Sequence, residues 1–99
     1  MNVLDRLVGQ EVTEVHLGEG VVSLLLSEGV LAAFNPISGV APGRLEGRRI
    51  EGVSLVDGER LSLAFDNGSV FHISLRDGDY SGPEAFEVDF ADGTTVVGQ

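Results

Sequence analysis

The chain predicts an all-β fold, and three observations carry the prediction. Apolar residues recur with a period of two, glycine-bearing turns separate the alternating segments, and one alternating pattern occurs twice. Leu61, Leu63 and Phe65 alternate with Arg60, Ser62, Ala64 and Asp66. Phe71, Ile73 and Leu75 alternate with His72 and Ser74, and Phe86, Val88 and Phe90 with Glu87 and Asp89. Breaks fall at Ser27-Glu28-Gly29, Val56-Asp57-Gly58, Asp66-Asn67-Gly68 and Ala91-Asp92-Gly93.

Taken in order, Asn2 is placed to cap one helical turn through Val3, Leu4, Leu7 and Val8, which Gly9 stops. A first meander follows, with strands at 11–17, 21–27 and 30–35. The stretch Asn35-Pro-Ile-Ser-Gly-Val-Ala-Pro-Gly joins it to a second meander at 48–55, 59–66 and 70–76. The two are internal repeats, 9–35 and 47–76. Gly9-Gln-Glu-Val-Thr-Glu-Val-His-Leu matches Gly47-Arg-Arg-Ile-Glu-Gly-Val-Ser-Leu at an offset of 38, and the Gly29 and Gly68 turns correspond at an offset of 39. A C-terminal hairpin over 84–98 completes a single domain, 1–99.

Register follows from the turns. A three-residue Asp66-Asn67-Gly68 loop pairs Leu63 with Phe71 and Leu61 with Ile73. The same choice elsewhere pairs Leu24 with Ala32, Val22 with Phe34, Val53 with Leu61 and Val88 with Val96. Each loop then ends in a glycine at the left-handed position, so positive φ is expected at Gly29, Gly58, Gly68 and Gly93. Neither meander can bury a face alone, so the two pack together as a sandwich or partly open barrel. The strand Val21-Val22-Ser23-Leu24-Leu25-Leu26 is apolar on both faces, which predicts cover on both. For Val21 and Leu25 that cover is either the N-terminal turn with Leu4 and Leu7 or a second subunit.

Composition narrows function. The 99 residues carry 16 acids, six Arg and a formal charge of −10. Residues 51–99 hold ten of the acids and two of the Arg, a balance of −8. Nucleic acid and anionic membranes are repelled by such a surface; it is compatible with a basic protein partner, the alternative being a solvated acidic face that serves solubility alone. The longest fully apolar run, 30–34, is too short to span a bilayer. Met-Asn-Val-Leu-Asp has neither the basic segment nor the apolar stretch of a signal peptide, so a cytoplasmic location is expected. Without Cys there are no disulfides or thiolate metal sites.

Catalytic constellations are scarce. There are two His, one Tyr, no Lys, and neither a Gly-x-Ser-x-Gly elbow nor a phosphate loop. His72 with Ser74 is the nearest approach to a nucleophilic pair, and a surface role is expected for it. Asp77-Gly78-Asp79-Tyr80-Ser81-Gly82 opens like a calcium loop, but Val88 stands where the bidentate Glu belongs and Pro83 interrupts the spacing. No metal or cofactor is therefore expected, nor an enzyme. The remaining candidate site is acidic: Asp77, Asp79, Glu84, Glu87, Asp89 and Asp92 lie within 16 residues that contain no base. A non-catalytic binding protein with a basic partner is the first expectation; a structural module, monomer or homodimer, is the second.

The paired Gly-x-x-hydrophobic openings, the Asp-Asn-Gly turn, and Tyr-Ser-Gly-Pro-Glu-Ala-Phe-Glu-Val followed by Ala-Asp-Gly-Thr resemble small bacterial β-proteins of unknown function. The resemblance runs from Gly9 over most of the chain. It implies an all-β fold in a bacterial cytosol and transfers no catalytic residue. In composition alone the chain is also similar to the immunity proteins that neutralise secreted toxins.

Overall fold

A computed structural model describes residues 3–98. Two antiparallel sheets face each other as a sandwich that is not closed into a barrel. The strands are β1 (Val12–Gly18), β2 (Val21–Leu26), β3 (Gly29–Ala33), β4 (Ile37–Gly39), β5 (Ile50–Val56), β6 (Arg60–Phe65), β7 (Val70–Ser74), β8 (Phe86–Phe90) and β9 (Thr95–Gly98). One sheet has the order β1-β2-β3-β8-β9, the other β4-β7-β6-β5. The alternating segments turn their apolar positions inward. Leu24, Leu26, Leu31, Leu61, Leu63, Phe65, Phe71, Ile73, Phe86, Val88 and Phe90 form one buried core. The N-terminal turn is a 3₁₀ segment, Val3–Leu7; its expected cap, Asn2, lies outside the described residues.

The repeat is a two-fold, because equivalent hydrogen bonds cross it reciprocally. Val12 N donates to Arg48 O at 2.8 Å and Ile50 N to Gln10 O at 2.9 Å; Gly9 N donates to Ile50 O at 2.7 Å and Gly47 N to Val12 O at 2.8 Å. At the axis, the equivalent residues Glu11 and Arg49 pair with each other. Leu7 and Leu45, 38 residues apart, each end a 3₁₀ segment and are fully buried. Both first strands bulge at the same place, Thr13 and Glu51. Each half also lends a strand to the other: β4 pairs with β7, and β8 with β3. Where these exchanges begin, Phe34 N donates to Ala85 O at 2.8 Å and Ser74 N to Pro36 O at 3.0 Å.

Two turns have the expected register, with Leu63 opposite Phe71 and Val88 opposite Val96. At the second break the three-residue loop is Asp57-Gly58-Glu59, so Val53 faces Leu63 and Leu61 faces Leu55. That shift moves partners by two residues, which leaves every side chain on its expected face. The first break is different. Its loop is the two-residue Ser27-Glu28, and Leu24 pairs with Leu31 and Val22 with Ala33, not with Ala32 and Phe34. A three-residue loop would have turned Leu31 outward; the observed register buries it completely and leaves Val30 37% exposed. Positive φ is found at Gly58, Gly68 and Gly93 but not at Gly29. Gly29 serves close approach instead: a Cβ there would stand 2.6 Å from Asp89 O on β8. Its equivalent in the second half is Ser69, and the matching of Gly29 with Gly68 is overturned with the register.

Strand β4 was not expected within the joining stretch. It exists because the exchange places Ile37 opposite Ile73 on the edge of the four-stranded sheet.

Candidate functional site

The outer face of the five-stranded sheet collects the central acids. Register aligns His16, Ser23, Ala32, Glu87 and Val97 in one row, and Glu14, Leu25, Val30, Asp89 and Thr95 in the next. Outward placement of Glu87 and Asp89 follows from the inward placement of Phe86, Val88 and Phe90, all buried. None of the residues in these two rows is Arg or Lys. Asp89 Oδ1 accepts a hydrogen bond from Thr95 Oγ1 at 2.9 Å, and Glu14 lies 3.1 Å from His16 Nε2.

Asp89 disturbs the Glu87 carboxyl. A hydrogen bond to Asp89, then the Asp89 charge, then burial and the Glu84 charge hold the Glu87 carboxyl above its ordinary value of 4.5. Glu84, half-buried at the start of this stretch, thus belongs with Glu87 and Asp89.

The other three acids lie elsewhere. Asp92 sits in the β8–β9 turn and is compensated: Thr94 N donates to its Oδ1 at 3.0 Å, and the Arg6 guanidinium donates to its Oδ2 at 2.8 Å. Thr94 first and Arg6 second lower its carboxyl from the ordinary value of 3.8. Arg6 also stacks 4.2 Å from the Phe90 ring centre. A base 86 positions away in the chain cannot be read as a neighbour from the local sequence. Asp77 and Asp79 form a 3₁₀ turn after β7, and Asp79 accepts a 2.5 Å hydrogen bond from Ser74 Oγ.

Val21 and Leu25 are half-buried on the outer face. The N-terminal turn does not cover them. Leu4 and Leu7 are buried in the core between the sheets, where their apolar area is removed from water on all sides. Leu25 instead lies beside Val30, whereas Val97, 38% exposed, lies on β9 beyond Glu87 and Asp89.

On the opposite sheet, Ser38, His72, Ser62 and Ser54 form a polar outer row. The His72 Nδ1 partner is Ser62 Oγ at 2.7 Å, not Ser74, whose hydroxyl is taken by Asp79. The signal for Ser62 was present in the sequence, because pairing Leu61 with Ile73 sets Ser62 against His72. No carboxylate pairs with His72 among the described residues.

One polar group stands out in the interior. Asn35 is 4% exposed; its Nδ2 donates to Ser74 O at 2.8 Å, which fixes the amide orientation, and its Oδ1 has no donor among the described residues. Sequence reasoning passed over it as part of a connecting stretch.

Comparison with protein-family models, with curated proteins and with solved structures finds no match. Among the described residues, no helix is long and apolar enough to cross a membrane.

Proposed function

We propose that this protein is a non-catalytic binding protein, and that the outer face of its five-stranded sheet engages a basic protein. One observation carries the reading: Glu87 and Asp89 sit in adjacent rows of an open sheet face, Asp89 holds the Glu87 carboxyl above its ordinary value, and neither row contains Arg or Lys. Lys or Arg side chains of a partner relieve that repulsion. Leu25 and Val30, between Glu14 and Asp89 in the same row, add apolar area that a partner can cover. A fast, salt-sensitive encounter is the consequence, because complementary fields act mainly on association rate and specificity.

The test is capture from the source cells at low salt, with the protein as bait. The partner is retained at low salt, lost about tenfold or more at several hundred millimolar salt, and lost to the Glu87→Lys/Asp89→Lys variant. Equal retention by that variant removes the reading.

A second reading rests on the apolar strip alone: Val21 and Leu25, with Val30, as a contact between two copies, the charge serving only solubility. Sedimentation separates the two, since self-association through this strip strengthens when Glu87 and Asp89 are neutralised.

A further inference from the structure

The two-fold has one broken element. In the second half, β8 crosses to β3 and its other edge is covered by β9, with Phe86 opposite Gly98 and Val88 opposite Val96. In the first half, β4 crosses to β7 in the same way, but no strand follows on its other edge among the described residues. Equivalence is fixed by the exchange itself: Ala33 pairs with Phe86 as Ile73 pairs with Ile37. Ile37 therefore corresponds to Phe86, Gly39 to Val88, and Asn35 to Leu75.

The backbone of β4 is oriented for pairing. Pro36 O accepts from Ser74 N and Val40 N donates to Val70 O, so groups at 36 and 40 face β7. Ser38 pairs with His72, and the alternation of an antiparallel ladder turns the N–H and C=O of Ile37 and Gly39 outward. These are the counterparts of the Phe86 and Val88 groups that β9 satisfies.

Beside this edge the sandwich is open. A groove of about 380 Å³ runs along Val21, Val22, Ala33, Phe34, Asn35 and Ile37, and joins a second of about 250 Å³ through Gly20, Phe34 and Ser81. On the equivalent side, Val96 of β9 packs against the core and the Phe86 ring lies against Gly98. The groove is apolar apart from Asn35, Ser81 and Glu84, and Glu84 is the charged residue among its described lining. Asn35 belongs to the same lining. Asn35 N and Phe34 N both donate to Ala85 O, which places this end of the groove next to Glu84.

We infer that the β4 edge and its groove accept one extended segment of a partner protein, alternately apolar and flanked by Lys or Arg, added as the fifth strand of the four-stranded sheet. Ile37 and Gly39 supply main-chain hydrogen bonds, the groove takes the inward-facing apolar side chain as the core takes Val96, and Glu84 meets the flanking cation. The two readings share Glu84, but the main-chain contacts of this one are made by β4, which lies in the other sheet.

The probe is a capped peptide, Lys-Thr-Thr-Val-Val-Gly-Lys, followed by amide exchange and chemical shifts in the intact protein. At about 90% occupancy the Ile37 amide exchanges about tenfold more slowly, because only the free tenth opens to water. N-methylation of the peptide amides on one edge abolishes binding, whereas methylation on the other edge is tolerated. In the Glu87→Lys/Asp89→Lys variant, saturating peptide still protects the Ile37 amide, which separates this site from the outer face. No protection at Ile37 and Gly39 at millimolar peptide overturns the inference, as does binding indifferent to which edge is methylated. Perturbation confined to β9 overturns it too, as does protection of Ile37 in a dimer of the protein alone, which would assign the edge to a second copy.

Discussion

Glu87 and Asp92 show how one kind of side chain, a carboxylate, is set in opposite directions by what surrounds it. Glu87 faces Asp89 and is held above 4.5, so its protonated form is favoured in the folded state. The stability it lends is therefore complete below that value and is lost as pH rises through the raised folded-state value. Asp92, bonded by Thr94 and Arg6, is lowered from 3.8; its contribution is present above that value and lost as pH falls through the lowered one. Glu87→Gln is expected to raise the melting temperature at neutral pH and to have no effect at pH values well below 4.5. Asp92→Asn is expected to lower it at neutral pH, with the difference vanishing in strong acid. Thermal melts across the acid range read both signs, and a Glu87→Gln gain that persists in acid would mean the repulsion is not its source.

Among the elements, turns and close strand approaches separate two ways in which a glycine is required. Gly68 has φ +83° and nothing lies within 4 Å of where a Cβ would stand, so Gly68→Ala meets backbone strain alone. It is expected to cost about 1 kcal/mol. Gly29 has ordinary φ, yet its Cβ would collide with Asp89 O and Phe90 Cα. Gly29→Ala must part β3 from β8 and is expected to cost more than Gly68→Ala, about 2–3 kcal/mol, in urea unfolding. Equal costs would show that the β3–β8 approach is softer than the distances imply. The same contrast explains the one turn at which sequence reasoning reversed the faces. A glycine after Ser-Glu reads as a turn residue, but this one is placed by β8, a strand from the other end of the chain.

The whole molecule is held together by what its halves exchange. Each half contributes a 3₁₀ segment, three consecutive strands and one strand given to the other half's sheet, so neither buries its own face. Cutting the chain between Val40 and Leu45 is expected to give fragments that fold together when co-expressed and remain unfolded separately. Circular dichroism of the separate and mixed fragments measures this. A fragment that folds alone would show that the exchanged strands are ornaments on independent meanders. The acidic charge acts at this scale too: spread over a small surface, it makes encounter with any basic partner depend steeply on salt.

The amino-acid order alone makes legible the fold class, the inward and outward faces of most strands, two of the four hairpin registers and the doubling of the meander. All of these rest on near neighbours, because a period of two and a turn glycine act within a few residues. It also placed Glu87 and Asp89 side by side on one face. Only the tertiary structure decided the Ser27-Glu28 register, the crossing of β4 and β8, the pairing of Arg6 with Asp92, the donor-less Asn35 and the open edge beside it. Each of these depends on segments far apart in the chain. In the first turn, burying Leu31 and Ala33 against the opposite sheet outweighs the preference of a glycine for the turn, and such a balance exists only once both sheets are present.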